Sequence, residues 1–184
     1  CGTCYDQLQG YKFEDIFPGC RIVDIHEYLL EKGITLPAGE GAAGYLYHDP
    51  CHSPMKLQEP MKTVKALVGP NVLKSERCCG ESGTLGVTRP DISTQVRFRK
   101  EEELRKGEAA LRASGAVAER ADVKILTSCP SCLQGLKRYE DDLSTGLLEA
   151  DYIVVEMANQ LLGPDWMPQY VERANQGGIE RVLV

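Results

Sequence analysis

Short apolar runs alternate with longer helical segments through most of the chain beyond residue 43. Four runs have the length and composition of buried strands: 44–48, 71–73, 123–126 and 151–154. Four segments have the apolar spacing of helices: 59–67, 91–114, 131–139 and 155–162. Strands that alternate with helices pair in parallel through right-handed crossovers, and helices cover both faces of the sheet. The sequence therefore predicts a doubly wound, Rossmann-like α/β fold, with 179–184 as a candidate edge strand.

The segment 91–114 carries the clearest helix signals. Pro90 suits the first turn, and Thr88 with Asp91 has the spacing of a capping box. Three acid–base pairs are spaced four residues apart, as stabilising helix pairs are: Glu101 with Arg105, Glu102 with Lys106, and Glu108 with Arg112. Gly115 is a candidate helix stop. These signals predict one long helix.

Composition narrows the class of protein. The 184 residues are 42% hydrophobic and 26% charged, which suits a folded core rather than a disordered chain. The net charge of −6 argues against nucleic acid as a partner, because nucleic acid rewards a basic face. No apolar run approaches the roughly 18 to 20 residues of a membrane-spanning helix, so direct membrane insertion is not expected. We expect a cytoplasmic protein.

The eight cysteines are unusual for such a chain. We expect a chain without a secretory segment, which favours metal or redox chemistry over a disulfide framework. Five of them follow predicted strands: Cys51, Cys78, Cys79, Cys129 and Cys132. The carboxyl ends of parallel strands share one edge of a sheet, where open α/β folds bind ligands. We therefore expect these five thiols to meet at one site.

Five thiols are one more than structural zinc or a cubane four-iron cluster requires. A fifth is accounted for if one sulfur bridges two irons or if the cluster is opened from a cube. The adjacent pair Cys78 and Cys79 suits this arrangement, because neighbouring side chains diverge toward different metal atoms. Gly80 and Gly83 form a turn whose backbone N–H groups can approach sulfur closely. The other interpretation is that one of the five is a buried, inert thiol.

Other functions explain fewer of these residues. A zinc-stabilised structural or docking module accounts for four thiols. A Cys/His nucleophile, with Cys51 activated by His48 or His52, accounts for one. Gly80, Gly83 and Gly86 do not form a dinucleotide fingerprint, so nucleotide binding is not expected. For His48 and His52 we prefer a supporting role next to the ligands.

The beginning of the chain repeats part of its later sequence. Cys1-x-x-Cys4 is followed by Leu8 and Tyr11, and Cys129-x-x-Cys132 is followed by apolar and tyrosine residues at the same offsets. We therefore expect residues 1–36 to be the tail of a truncated preceding repeat and 37–184 to be a complete cysteine-rich domain. Cys1 and Cys4 are then vacant thiols, and Cys20 is a plain structural cysteine.

The pattern of Cys51, Cys78-Cys79-Gly80 and Cys129-x-x-Cys132 resembles the cysteine-rich CCG domain. This domain occurs in heterodisulfide reductase, in the iron–sulfur component of glycolate oxidase and in related oxidising proteins. The segment 48–52, His-Asp-Pro-Cys-His, is similar to the segment around that family's first cysteine. The resemblance covers about residues 44–163 and, more weakly, 1–33. Such domains normally occur twice in tandem.

The resemblance implies an iron–sulfur cofactor, a non-cubane 4Fe-4S cluster in the best-understood members. Its ligands by motif position are Cys51, Cys78, Cys79, Cys129 and Cys132. Zinc is the alternative metal, since some domains of the family are thought to carry it. The implied partner is a flavin-containing dehydrogenase domain or subunit that holds the FAD and oxidises a 2-hydroxy acid such as lactate or glycolate. The chain would then transfer electrons and would not turn over alone.

Overall fold

The structure is a computed structural model that describes residues 1–37, 43–81, 83–118, 121–141 and 148–177. The helices of these residues are α1 (Gly2–Gly10), α2 (Phe13–Ile16), α3 (Ile25–Glu31), α4 (Pro60–Val68), α5 (Leu85–Thr88), α6 (Pro90–Ala113), α7 (Pro130–Asp141), α8 (Ile153–Leu162) and α9 (Trp166–Gly177). The strands are β1 (Gly44–His48), β2 (Val72–Ser75), β3 (Val123–Thr127) and β4 (Ala150–Tyr152). The candidate edge strand at 179–184 lies outside the described residues.

The four strands form one parallel sheet in the order β2-β1-β3-β4. The chain moves from β1 outward to β2 and then crosses back to place β3 on the other side of β1. The direction of winding therefore reverses between β1 and β3, which is the switch point of a doubly wound sheet. The predicted α/β fold is confirmed.

Helices cover both faces of the sheet because side chains alternate along each strand. Tyr45 and Tyr47 point into one core, where they pack with apolar residues of α4 and α8. Leu46 points into the opposite core, which includes Leu104 of α6 and Leu136 of α7. Each face of the sheet thus buries its own set of apolar residues against two helices.

Two local predictions were wrong. We expected a strand at 151–154, but β4 ends at Tyr152 and Ile153 begins α8, where its side chain is fully buried in the core. The β-branched run favours a strand locally, and core packing overrides that preference. The capping box before α6 does not form either. Thr88 donates its hydroxyl hydrogen bond to the Thr84 carbonyl at 3.0 Å, and no side chain caps α6 at Arg89.

The remaining signals of α6 agree with the structure. The helix begins at Pro90, ends at Ala113, and is followed by Gly115 with a φ of 71°. Ion pairs four residues apart join Glu101 to Arg105 and Glu108 to Arg112. The pairing of Glu102 with Lys106 stays a prediction.

The amino-terminal segment packs against the rest of the molecule. Helix α3 contacts α4 and α8, and the buried Glu27 carboxylate accepts hydrogen bonds from the backbone amides of Leu57 and Gln58. Helices α1 and α3 begin 128 residues before α7 and α8, respectively. The division into a repeat tail at 1–36 and a domain at 37–184 stays a prediction. Among the described helices, none is both long enough and apolar enough to cross a membrane.

Candidate metal centre

Three strands end in one row at the edge of the sheet. His48, the last residue of β1, is in register with Ser75 of β2 and Thr127 of β3. Each strand runs into a loop whose first cysteine lies two or three residues further on. Parallel strands deliver such loops to the same edge, next to the switch point between β1 and β3.

A cleft of about 150 Å³ lies among these loops. Its lining includes all five cysteines that follow the strands: Cys51, Cys78, Cys79, Cys129 and Cys132. Cys79 and Cys132 are buried, Cys129 is half-buried, and Cys51 and Cys78 are exposed. All eight cysteines of the chain are free thiols. The fold therefore brings the five thiols together, as the position of each after its strand predicts.

Four of the five sulfur atoms are joined by hydrogen bonds between thiols. Cys79 contacts both Cys78 and Cys132, and Cys132 also contacts Cys129. The fifth thiol, Cys51, is close enough to Cys78 for their charges to interact. The loops after β2 and β3 thus meet through direct contacts between their sulfur atoms.

These contacts divide the thiols into two kinds. Hydrogen bonds from Cys132 and then Cys78 hold the pKa of Cys79 far below its ordinary value, and the pKa of Cys129 is lowered to about 5 by a hydrogen bond from Cys132. The pKa values of Cys78 and Cys132 are raised mainly because each thiol donates a hydrogen bond to a neighbouring sulfur. Burial raises them further because it disfavours the anion. The four thiols therefore ionise as a coupled group, in which their hydrogen bonds favour the thiolate form of Cys79 and Cys129. Thiolate is the form that binds metals.

The turn after the paired cysteines needs its glycine at position 80. Gly80 has a φ of 79°, which residues with a Cβ rarely adopt. Its backbone N–H donates to Cys78 Sγ at 3.4 Å, and its carbonyl accepts from the Ser93 hydroxyl at 3.0 Å. Gly83, with a φ of 53°, lines the cleft. The two glycines thus shape the loop that presents Cys78 and Cys79.

An ion pair that the sequence analysis missed joins this turn to helix α7. Arg138 Nη1 lies 2.9 Å from Glu81 Oε2, and Arg138 Nη2 donates to Glu81 Oε1 at 3.1 Å. Gly135 is one turn earlier on α7, and a Cβ there would lie 2.7 Å from Glu81 Cβ. The turn that carries Cys79 is therefore packed tightly against the helix that begins beside Cys129.

Buried polar groups lie behind the thiols. A ring nitrogen of His48 is within 4.8 Å of the sulfur atoms of Cys79 and Cys132, and His48 is buried. Lys100 of α6 is fully buried beside His48, and the sequence analysis missed it. The available signal was its position four residues before Leu104, on the buried side of the helix.

The amino-terminal segment completes one wall of the cleft. Cys1 lines it together with Gly2 and Thr3, whereas Cys20, predicted to be a plain structural cysteine, lies exposed on another surface. A Cβ at Gly2 would lie 1.9 Å from the carbonyl oxygen of His52, so α1 rests directly on the loop after β1. The position of Cys1 beside the other five thiols was not predicted from the sequence.

The fold and the site define a class: a parallel α/β domain with a thiol-lined, metal-binding cleft at the switch point of its sheet. The family described as "Cysteine-rich domain" (CCG) matches residues 45–137, and the chain belongs to this family. The match includes the five cleft cysteines that follow the strands and leaves out Cys1. A "Domain of unknown function (DUF3400)" matches residues 137–184. No curated protein and no solved structure is significantly similar to the chain.

Proposed function

We propose that this chain is an electron-transfer domain that binds an iron–sulfur cluster at the cleft. Its ligands would be Cys51, Cys78, Cys79, Cys129 and Cys132. The observation that carries this proposal is that five thiols that follow three separate strands line one cleft. The donor set fits such a cofactor, because clusters are held by cysteine thiolates and because Cys79 and Cys129 have lowered pKa values.

The number of thiols favours a non-cubane 4Fe-4S cluster over a single metal ion. A tetrahedral zinc ion or a cubane cluster leaves one of the five thiols unused. Zinc is the second candidate because His48, Cys79 and Cys132 form a compact set of nitrogen and sulfur donors. The nucleophile hypothesis explains Cys51 alone and leaves the other four thiols without a role.

The chain's own residues would hold the cofactor and set its surroundings. A bound cluster supplies one-electron redox chemistry. The Gly80 N–H withdraws negative charge from the Cys78 sulfur, and hydrogen bonds to sulfur are one determinant of the reduction potential. Cys79 and Cys132 lie in the interior, whereas Cys51 and Cys78 are exposed. An electron partner would therefore approach from the side of Cys51 and Cys78.

The partner in this proposal is a flavin-containing dehydrogenase domain or subunit that carries the FAD. It would oxidise a 2-hydroxy acid such as lactate or glycolate and pass electrons to this chain. Support comes from the resemblance of the cysteine motifs to those of oxidoreductases. A preceding cysteine-rich repeat is a second proposed neighbour, since the segment with Cys1 already lines the cleft. We propose a cytoplasmic location because the cytoplasm keeps the thiols that would bind the cluster reduced.

The test is anaerobic expression of the chain, followed by measurement of iron, zinc and acid-labile sulfide and by electron paramagnetic resonance. We expect a brown protein with about four irons and four sulfides per chain. Serine replacement at each of the five proposed ligands should lower the iron content, and Cys20→Ser is the matched control that should not. A colourless protein with one zinc and no sulfide would instead establish the zinc alternative.

A further inference from the structure

Lys100 is the most unusual charged residue of the described chain because its side chain is fully buried. Its ammonium group has three N–H donors and meets three acceptors. Nζ donates to Ser75 Oγ, lies 3.3 Å from His48 Nδ1, and pairs with Glu103 Oε2 at 3.5 Å. Burial lowers the pKa of Lys100, and the Glu103 carboxylate opposes that effect. The three acceptors provide one hydrogen-bond partner for each N–H of the charged Lys100 ammonium group.

The contact with Lys100 fixes where the proton of His48 lies. An ammonium group has no lone pair, so Nδ1 of His48 must accept the hydrogen bond. Neutral imidazole then carries its proton on Nε2. His48 Nε2 is buried and has no hydrogen-bond partner among the described residues. A buried N–H without an acceptor is unfavourable, so a ligand at the cleft that accepts from it gains affinity.

We propose that His48 is a hydrogen-bond donor to sulfur at the cleft and not a metal ligand, and that Lys100 is the positioning residue that holds it in this state. The inference rests on the proposed function, since the accepting sulfur belongs to a metal-bound thiolate or to the cofactor. It does not follow from the cysteine motifs, because they do not include Lys100 and do not indicate which nitrogen of His48 carries the proton.

The ligand role conflicts with the same contacts. A histidine nitrogen binds a metal through its lone pair. The lone pair of Nδ1 is directed to Lys100, and Nε2 carries the proton. A ring nitrogen of His48 lies within 4.8 Å of the sulfur atoms of Cys79 and Cys132, so sulfur is within reach of the ring as an acceptor.

The expected consequence is a higher reduction potential. Reduction adds a negative charge to the site, and an N–H donor backed by a buried ammonium stabilises that charge. Removal of the donor or of the lysine should therefore lower the potential. Loss of supporting hydrogen bonds also weakens metal binding, by about 10- to 100-fold in characterised sites.

The test compares four variants of the 184-residue chain. His48→Gln keeps an N–H donor and an acceptor for Lys100, whereas His48→Phe removes both. Lys100→Met removes the charge, and His26→Gln is the control at a second buried histidine, whose Nδ1 contacts Asp24. Each variant is loaded with iron and sulfide under anaerobic conditions, and its midpoint potential and iron content are measured. Binding of Co²⁺ alone is followed by visible absorption, with circular dichroism as the check on folding.

We expect His48→Gln and His26→Gln to retain the iron content and the potential of the parent. His48→Phe and Lys100→Met should have lower potentials, and all variants should keep the Co²⁺ absorption bands of a sulfur-only site. Loss of iron in His48→Gln, or a change in its Co²⁺ bands, would show that His48 is a ligand and would overturn the inference. Unchanged potentials in both His48→Phe and Lys100→Met would also overturn it while the proposed function stands.

The failure of the proposed function has a different signature. If the parent chain binds Co²⁺ but takes up no iron and sulfide, the cluster proposal fails, and the Co²⁺ bands of His48→Gln alone decide the role of His48. If the parent binds neither, the inference falls with the proposed function.

Discussion

The contact between helix α7 and the turn after Cys79 predicts a specific effect of Gly135→Ala. The new Cβ would lie 2.7 Å from Glu81 Cβ and 3.4 Å from the Cys79 carbonyl oxygen. Glu81 Cβ is bonded directly to the backbone, so relief of the overlap requires the turn itself to move away from α7. That movement carries Cys79 away from Cys132, with which it shares a hydrogen bond.

Two opposing terms set the size of the effect. Alanine is more favourable than glycine inside a helix by about 1 kcal/mol. Forcing an extra carbon into a packed contact costs about 1–3 kcal/mol. We therefore expect the free energy of unfolding to fall by up to about 2 kcal/mol. Metal binding should suffer more than stability because the displaced backbone holds a proposed ligand.

Urea denaturation of the metal-free chain gives the stability change, and titration with Co²⁺ gives the metal affinity. Gly10→Ala is the matched control, since Gly10 ends helix α1 and a Cβ there has nothing within 4 Å. It should leave the chain equally stable or slightly more stable. If Gly135→Ala gains stability like a free helical site and binds Co²⁺ as the parent does, the tight packing of the turn against α7 is refuted.

Three further predictions concern stability and thiol ionisation. Arg138→Gln leaves the Glu81 carboxylate without its ion pair, which is partly exposed, so unfolding in urea should become easier by about 1 kcal/mol. Leu104→Ala removes a fully buried side chain and should cost about 3 kcal/mol by the same measurement, whereas Leu162→Ala, at a 69% exposed site, should change little. The lowered pKa of Cys129, about 5, means that its thiolate predominates at pH 7 and is lost as the pH falls through 5. Iodoacetamide modification of Cys129 in the metal-free chain, followed by peptide mass spectrometry, should therefore proceed at a nearly constant rate from pH 6 to pH 8. A rate that climbs tenfold per pH unit across that range would contradict the hydrogen bonds assigned to it.

Local pattern was sufficient for most of the fold. The predicted helix over 91–114 matches α6, and the predicted strand over 44–48 matches β1, because apolar spacing reports how each segment is buried. The local apolar pattern gave a wrong prediction at the start of α8, because Ile153 and Val154 are β-branched residues that favour a strand. Their helical state depends on how Ile153 and Met157 pack in the core, and this information lies outside the local sequence.

The sequence by itself determined that the five cysteines would meet. Parallel strands all end at one edge of their sheet, so thiols placed just after three strands converge whatever the detailed packing. Only the tertiary structure decided what surrounds them. The burial of Lys100 next to His48, the ion pair of Arg138 with Glu81 and the position of Cys1 at the cleft all join residues far apart in the chain. Such contacts depend on the order of the strands and the packing of helices on the sheet, and neither can be predicted from a single segment of sequence.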